Sequence, residues 1–135
     1  MVPEEPANLE GSTTMSEMQS ALEPGDLTRM FVERANAGDA TGIAELYEEQ
    51  AVMAYPPGGQ TVGRDAIRQL WERVLSAKPH FEQEAPLPSL VSGDIALCAT
   101  VAKDGAGGRA QVVRRQGDGT WLRLLDLPEF VSPAK

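Results

Sequence analysis

The chain has 135 residues, 41% of them apolar, and a formal net charge of −8 from 20 acidic and 12 basic side chains. That length fits one domain that can bury a core without disulfides or metal. The acidic balance, with Arg114-Arg115 as the one adjacent basic pair, argues against nucleic acid and anionic membrane as partners, because both need clustered positive charge.

Cys98 is alone, so an internal disulfide is excluded. It lies in the apolar run Ile95-Ala96-Leu97-Cys98-Ala99 and reads as a small buried hydrophobe. A single His80 cannot assemble a zinc site; residue counting leaves a carboxylate-bound Mg²⁺ or Ca²⁺ open. Neither EF-hand spacing nor a Walker loop is present, so chemistry without metal or organic cofactor is expected. No apolar run approaches the roughly 20 residues of a membrane span. The first 20 residues carry neither a basic start nor a hydrophobic stretch, so no secretory signal is read there and a cytoplasmic location is expected.

Residues 1–24 hold Pro3, Pro6, Gly11, Pro24 and five Glu, without an aromatic, and read as a disordered tail. Met15 offers a second plausible start. A domain is expected over residues 25–131, with a short tail at 132–135. The first helix begins near Asp26, with Leu27, Met30, Phe31 and Ala35 on one face and Gly38 as its left-handed cap. Asp39 caps a second short helix whose apolar face is Ile43, Leu46 and Tyr47. Gln50 to Tyr55 reads as a strand, stopped by Pro56-Pro57-Gly58-Gly59.

The third helix is the clearest element: Ile67, Leu70, Trp71, Val74 and Leu75 recur at i, i+3, i+4, i+7 and i+8. Lys78-Pro79 closes it. The remainder reads as strands: a weak one from His80 to Glu84, an apolar stretch from Ser89 to Ala102 covered on both faces, and Arg109 to Gln116 paired with Thr120 to Leu127. The turn between that last pair, Gly117-Asp118-Gly119, contains a strong hairpin signal. Helices early and strands late indicate an α+β fold with the helices on one face of a curved sheet.

Three stretches together carry a resemblance. They are Asn36-Ala37-Gly38-Asp39 followed by Leu46-Tyr47; Ala51 to Gly58 followed by Gly63-Arg64-Asp65-Ala66-Ile67; and Gly117-Asp118-Gly119-Thr120-Trp121. With them the chain, from residue 26 to about 130, resembles the SnoaL-like branch of the nuclear-transport-factor-like superfamily. The resemblance implies a cone of three helices packed on a strongly bent antiparallel sheet around a pocket. It also implies a homodimer through the outer sheet face. Members of that superfamily include steroid isomerases, polyketide cyclases, epoxide hydrolases, dehydratases and many proteins without activity, so the site must decide.

Against the steroid isomerases, the position of the oxyanion-hole tyrosine is Phe31, that of the base aspartate is Tyr55, and that of the acid aspartate falls near Val112. All three parts are missing, which argues against that chemistry. The Asp-Arg-Asp constellation of the epoxide hydrolases has no match in spacing, although Asp126 with Arg109 or Arg114 supplies pieces.

A cyclase-type member needs one acid/base carboxylate in an apolar cavity, and Asp126 is the candidate. In Leu122-Arg123-Leu124-Leu125-Asp126-Leu127, strand alternation puts it on a face with Leu122 and Leu124. A carboxylate desolvated by such neighbours suits proton transfer near neutrality. Tyr55 is the second catalytic candidate, as a positioning hydroxyl. Met30, Phe31, Tyr47, Met53, Trp71, Val112, Arg114 and Leu124 are the expected pocket residues. Of Gln111 and Arg114, on opposite faces of one strand, one points inward. His80 is expected in solvent. The expected ligand is an apolar small molecule. The rival reading is a non-catalytic ligand-binding or dimerisation module.

Overall fold

The structure is a computed structural model, which describes residues 20–101 and 107–130. Ten elements follow one another: α1 (Asp26–Asn36), α2 (Ala40–Ala44), β1 (Tyr47–Met53), β2 (Thr61–Val62), α3 (Arg64–Leu75), β3 (Ala85–Pro86), β4 (Leu90–Ser92), β5 (Ile95–Val101), β6 (Gly108–Arg115) and β7 (Trp121–Phe130). The strands make one sheet in the order β2-β1-β7-β6-β5-β3, with β4 also on β5. Every pairing is antiparallel except β1 with β7, which is parallel. The three helices and the bent, unclosed sheet form the α+β cone that the sequence indicates.

Local chemistry explains most boundaries. Asp26 opens α1 as its first residue, after Gly25 at the N-cap. Its carboxylate accepts from the backbone of Leu22 and Glu23, which folds the preceding turn onto the helix. Ala21 is buried, and its carbonyl accepts from Trp121 N. Residues 21–23, expected to belong to the tail, therefore pack onto the domain, because these backbone groups find partners there. Residues 1–19 and 131–135 lie outside the described residues.

Gly38 sits at φ +71°, in the left-handed region that suits glycine. Asp39 caps α2 by accepting from Gly42 N at 2.8 Å. A Cβ on Gly42 would lie 2.1 Å from that same carboxylate, so the cap requires glycine here.

α2 stops at Ala44, and Tyr47 begins β1 instead of extending the helical face. Sheet and helix contacts claim the backbone there: Leu46 O accepts from Arg123 N, and Tyr47 O accepts from Arg64 Nε and Nη2. The strand expected over 50–55 is shifted towards the N-terminus for the same reason.

Residues 80–84 are not a strand. Asn36 clamps the loop to α1, donating to Phe81 O at 2.9 Å and accepting from Phe81 N at 2.8 Å. The stretch from Ser89 divides into β4 and β5 at a turn through Gly93, φ +60°. Only one face of β5 is covered: Ala96, Cys98 and Thr100 are buried, whereas Ile95, Leu97 and Val101 are exposed. The sequence also reads as a turn from Lys103 to Gly108; residues 102–106 lie outside the described residues, and Gly108 already begins β6. The hairpin at 117–119 forms as its residues dictate, with Gly119 at φ +87° and the Asp118 carboxylate accepting from both Thr120 N and Oγ1.

Leu27, Met30, Ile43, Tyr47, Met53, Ile67 and Val113 are the largest side chains that are fully buried, packed between helices and sheet. Among the described residues no helix is long and apolar enough to cross a membrane.

Candidate functional site

A cavity of about 290 Å³ opens between α1, α3, the 80–84 loop and the inner face of β5, β6 and β7. Phe31 from α1, Trp71 from α3 and Phe81 from the loop make its aromatic side. The rings meet edge-on, with centroids 5.1 Å (Phe31–Trp71), 5.9 Å (Phe31–Phe81) and 6.0 Å (Trp71–Phe81) apart. Such edge-to-face contacts match the positive ring edge to the negative face. Thr28, Val32, His80 and Pro128 complete the apolar and rim positions.

The sheet side is polar. Asp126 is buried in the wall and accepts two hydrogen bonds, from Tyr47 Oη to Oδ2 at 2.5 Å and from Gln111 Nε2 to Oδ1 at 3.2 Å. Arg123, also buried, donates from Nη1 to Tyr47 Oη at 3.3 Å and stands 3.9 Å from Asp126 Oδ2. Its guanidinium lies over the rings of Phe31 at 5.3 Å and Tyr47 at 5.6 Å, so two aromatic faces share its charge. Burial, and then the negative charge of Asp126, push the Tyr47 hydroxyl far above the usual tyrosine range, which keeps it a donor. Burial alone would make Arg123 easier to deprotonate; Tyr47 and Asp126 outweigh it, and the guanidinium stays charged.

A second cluster marks the mouth. Arg109 grips Glu84 through two hydrogen bonds of 2.9 and 3.0 Å and donates to Pro128 O at 2.7 Å. Thr100 Oγ1 donates to Glu84 as well, at 2.9 Å. The Arg109 hydrogen bonds hold the Glu84 carboxyl below the usual glutamate range, against the opposing effect of its partial burial. The cluster ties the 84 end of the loop to the sheet.

A β-bulge assembles the polar wall. Val112 pairs with Leu125 and Val113 with Arg123, which leaves Leu124 as an extra residue on β7. Arg123 and Asp126 are three apart and would otherwise face opposite ways. The bulge turns both inward, so Asp126 faces Arg123, Tyr47 and Gln111, not Leu122 and Leu124.

Among the expected site residues, Asp126, Phe31 and Trp71 line the cavity. Tyr47 lies directly behind it, bonded to Asp126. Met30 and Met53 are buried in the core and do not reach the cavity. Leu124 is the bulge residue, outside the lining. Val112 faces the outer groove, because alternation along β6 sends Gln111 and Val113 inward. Arg114 is outward too, paired with Glu48 at 2.7 and 2.8 Å. Tyr55 lies beyond the end of β1, 40% exposed, and contributes its carbonyl to Thr61 rather than its hydroxyl to the cavity.

His80 is exposed, as expected, and stands at the rim of the cavity. Sequence reasoning missed Arg123 and Phe81. The adjacent Leu124-Leu125 in an otherwise alternating strand was the available signal for Arg123, since it marks a slip of phase. Among the described residues no cluster of three or more His, Cys, Asp or Glu is arranged to hold a metal ion.

An α+β cone with one helix-covered sheet face and a polar carboxylate at the base of an aromatic cavity defines a pocket fold. The sequence model of the SnoaL-like domain matches residues 28–124, and the chain belongs to that family. Solved structures agree on the fold. An NTF2-like protein with a cystatin-like fold from Novosphingobium aromaticivorans is 22% identical, with a TM-score of 0.60, over 82% of this chain and 80% of that one. A ketosteroid isomerase-like protein from Erwinia carotovora atroseptica is 15% identical, with a TM-score of 0.63, over 81% and 94%. A protein from Streptomyces avermitilis described as a dehydratase of the NTF2-like family is 16% identical, with a TM-score of 0.63, over 82% and 94%. At these identities the likeness is one of fold. No curated protein matches the chain significantly in sequence.

Proposed function

We propose that this protein binds an apolar, largely flat small molecule in the aromatic cavity and moves a proton on it with Asp126, in the manner of a cofactor-free cyclase, isomerase or dehydratase. The observation that carries the reading is the buried Asp126 in the cavity wall, oriented by Tyr47 and Gln111 beside the Arg123 cation. A carboxylate whose two oxygens are each fixed by a donor is held in one orientation towards the cavity, as general base catalysis needs. Phe31, where the steroid isomerases carry a tyrosine, offers no hydroxyl, so the reading does not extend to steroid isomerisation. Tyr55 has no part in this proposal; Tyr47 takes the positioning role expected of it.

The test uses an enolisable aromatic ketone, 2-acetylnaphthalene, in D₂O, with exchange of its methyl protons followed by NMR. The native protein accelerates exchange over buffer. Asp126→Asn, checked for folding by circular dichroism, loses about a hundredfold or more of that acceleration, the scale of a general base. Equal exchange in both proteins sinks the catalytic role.

A second reading, ligand binding without catalysis, is favoured by one fact: both Asp126 oxygens already accept internal hydrogen bonds, as in a structural network. Binding of an aromatic ligand without any exchange would select it.

The outer sheet face supports a homodimer. Leu97, Val112, Leu125 and Leu127 line a shallow groove of about 310 Å³ there, and Leu97, Leu125 and Leu127 are each more than 40% exposed. Contiguous aliphatic surface of this kind marks a contact, and we assign it to a second copy of this chain.

A further inference from the structure

The wall of the cavity is unevenly fastened. Backbone hydrogen bonds run through α1, α3 and the sheet. The connection from α3 to β3, which supplies His80, Phe81, Gln83 and Glu84 to the lining, is built differently. Among the described residues these four make no backbone-to-backbone hydrogen bond. At one end Lys78, left-handed at φ +55°, stops α3, with Pro79 behind it. At the other end Ala85 resumes the ladder opposite Val101.

Side chains fasten the segment between. Asn36, from α1, grips the Phe81 backbone at 2.8 and 2.9 Å. The Phe81 ring rests edge-on against Phe31 and Trp71. Gln83 Nε2 donates to Arg29 O at 3.3 Å. The Glu84 carboxylate accepts twice from Arg109 and once from Thr100. β3 itself is two residues long, and one of them, Pro86, has no N–H for the ladder, so Glu84 carries much of the hold at that end.

Fastenings of this kind yield first. Opening α1 or a strand breaks a cooperative run of backbone bonds, whereas lifting this segment breaks side-chain contacts whose polar groups then meet water. Asp126 is buried in the opposite wall, so a ligand that reaches it passes the mouth, and the segment forms one side of that mouth.

We propose that residues 79–84 are a strap that opens as one unit to admit and release the ligand, hinged at Lys78–Pro79 and latched by the Glu84–Arg109 pair. The inference rests on the pocket reading above and not on catalysis by Asp126.

Amide hydrogen exchange followed by NMR tests the strap without a ligand. The Phe81 N–H donates to Asn36, not to Glu84. In a unit that opens together, Glu84→Ala releases the far end and speeds exchange at Phe81 by at least about threefold, the scale of one ion pair. The control for general loosening is Asp118→Ala, which weakens the distant 117–119 turn and should leave Phe81 at its native rate.

Stopped-flow binding of 2-acetylnaphthalene, followed by tryptophan fluorescence, tests the passage. A latch governs entry and exit alike, so Glu84→Ala should raise the association and dissociation rate constants together, each by at least about threefold, and leave Kd within about twofold.

An unchanged Phe81 amide in Glu84→Ala, or equal acceleration by Asp118→Ala, overturns the strap. Faster dissociation with unchanged association shows that the segment only touches the ligand, and overturns the passage. Failure of the ketone to bind removes the pocket reading and the passage with it, while exchange at Phe81 still decides whether the segment opens as a unit. Binding with both rates raised but no exchange of the ketone's methyl protons upholds the strap and removes only the catalytic role of Asp126.

Discussion

The two faces of the sheet invert the ordinary rule of protein surfaces. The inner face, under the helices, carries Arg123, Asp126, Gln111 and Thr100, all buried. The outer face carries Ile95, Leu97, Leu125 and Leu127, all exposed. Ionised groups are rarely buried without a reason, and aliphatic rows are rarely left in water without one. The inner charges are affordable because each has a partner: Tyr47 and Gln111 on Asp126, and Tyr47, Asp126 and two ring faces on Arg123. The outer aliphatics have no such local answer, and a second copy supplies it in our reading. The contrast teaches that one strand, β7, serves two solvents at once. Its bulge at Leu124 is the device that sorts polar residues to one side and leucines to the other.

Breaking the inner face should have the largest effect. Arg123→Met leaves Asp126 buried without its cation and should destabilise the fold by about 3–5 kcal/mol in denaturant titration. The double variant Arg123→Met/Asp126→Leu should recover much of that loss, since it removes the orphaned charge. If the single variant is as stable as the native protein, the polar wall is not an electrostatic unit.

Breaking the outer face should leave the fold intact and change assembly. Leu125→Glu places a charge in the centre of the aliphatic groove, and native mass spectrometry should show monomer where the native chain shows dimer. A native chain that is itself monomeric would remove the assignment of that face to a second copy.

The smallest change sharpens the inner face by pH. The folded protein holds the Tyr47 hydroxyl well above its ordinary value of 10.0, through burial first and Asp126 second. A raised pKa means that the folded state retains the proton more strongly than the unfolded state. The stabilisation is therefore complete below pH 10.0 and declines as pH rises beyond it. Tyr47→Phe should cost about 1 kcal/mol at neutral pH, the scale of one hydrogen bond, and should flatten the alkaline limb of a stability-against-pH curve. An alkaline limb identical in both proteins would show that another group sets it.

Much of the architecture is legible along the chain. The stripe of α3, the Gly38 and Asp39 signals between α1 and α2, and the turn at 117–119 are local: each follows from propensity, capping or turn chemistry within a few residues. Asp126 stands out for a similar reason, as a carboxylate set among leucines. Phe31 and Trp71 could be named because an amphipathic stripe announces which side of a helix faces inward.

What the chain alone determined is an α+β domain with helices over one sheet face and Asp126 as its conspicuous carboxylate. Only the tertiary structure decided the company that Asp126 keeps. Tyr47 reached it by leaving a helical stripe for the start of β1, because Leu46 O and Tyr47 O were claimed by Arg123 and Arg64 from distant elements. Arg123 reached it through an extra residue in β7, and Gln111 displaced Arg114 from the interior by the phase of β6. These outcomes depend on register, and register is set by which strands pair, not by any residue's own preference.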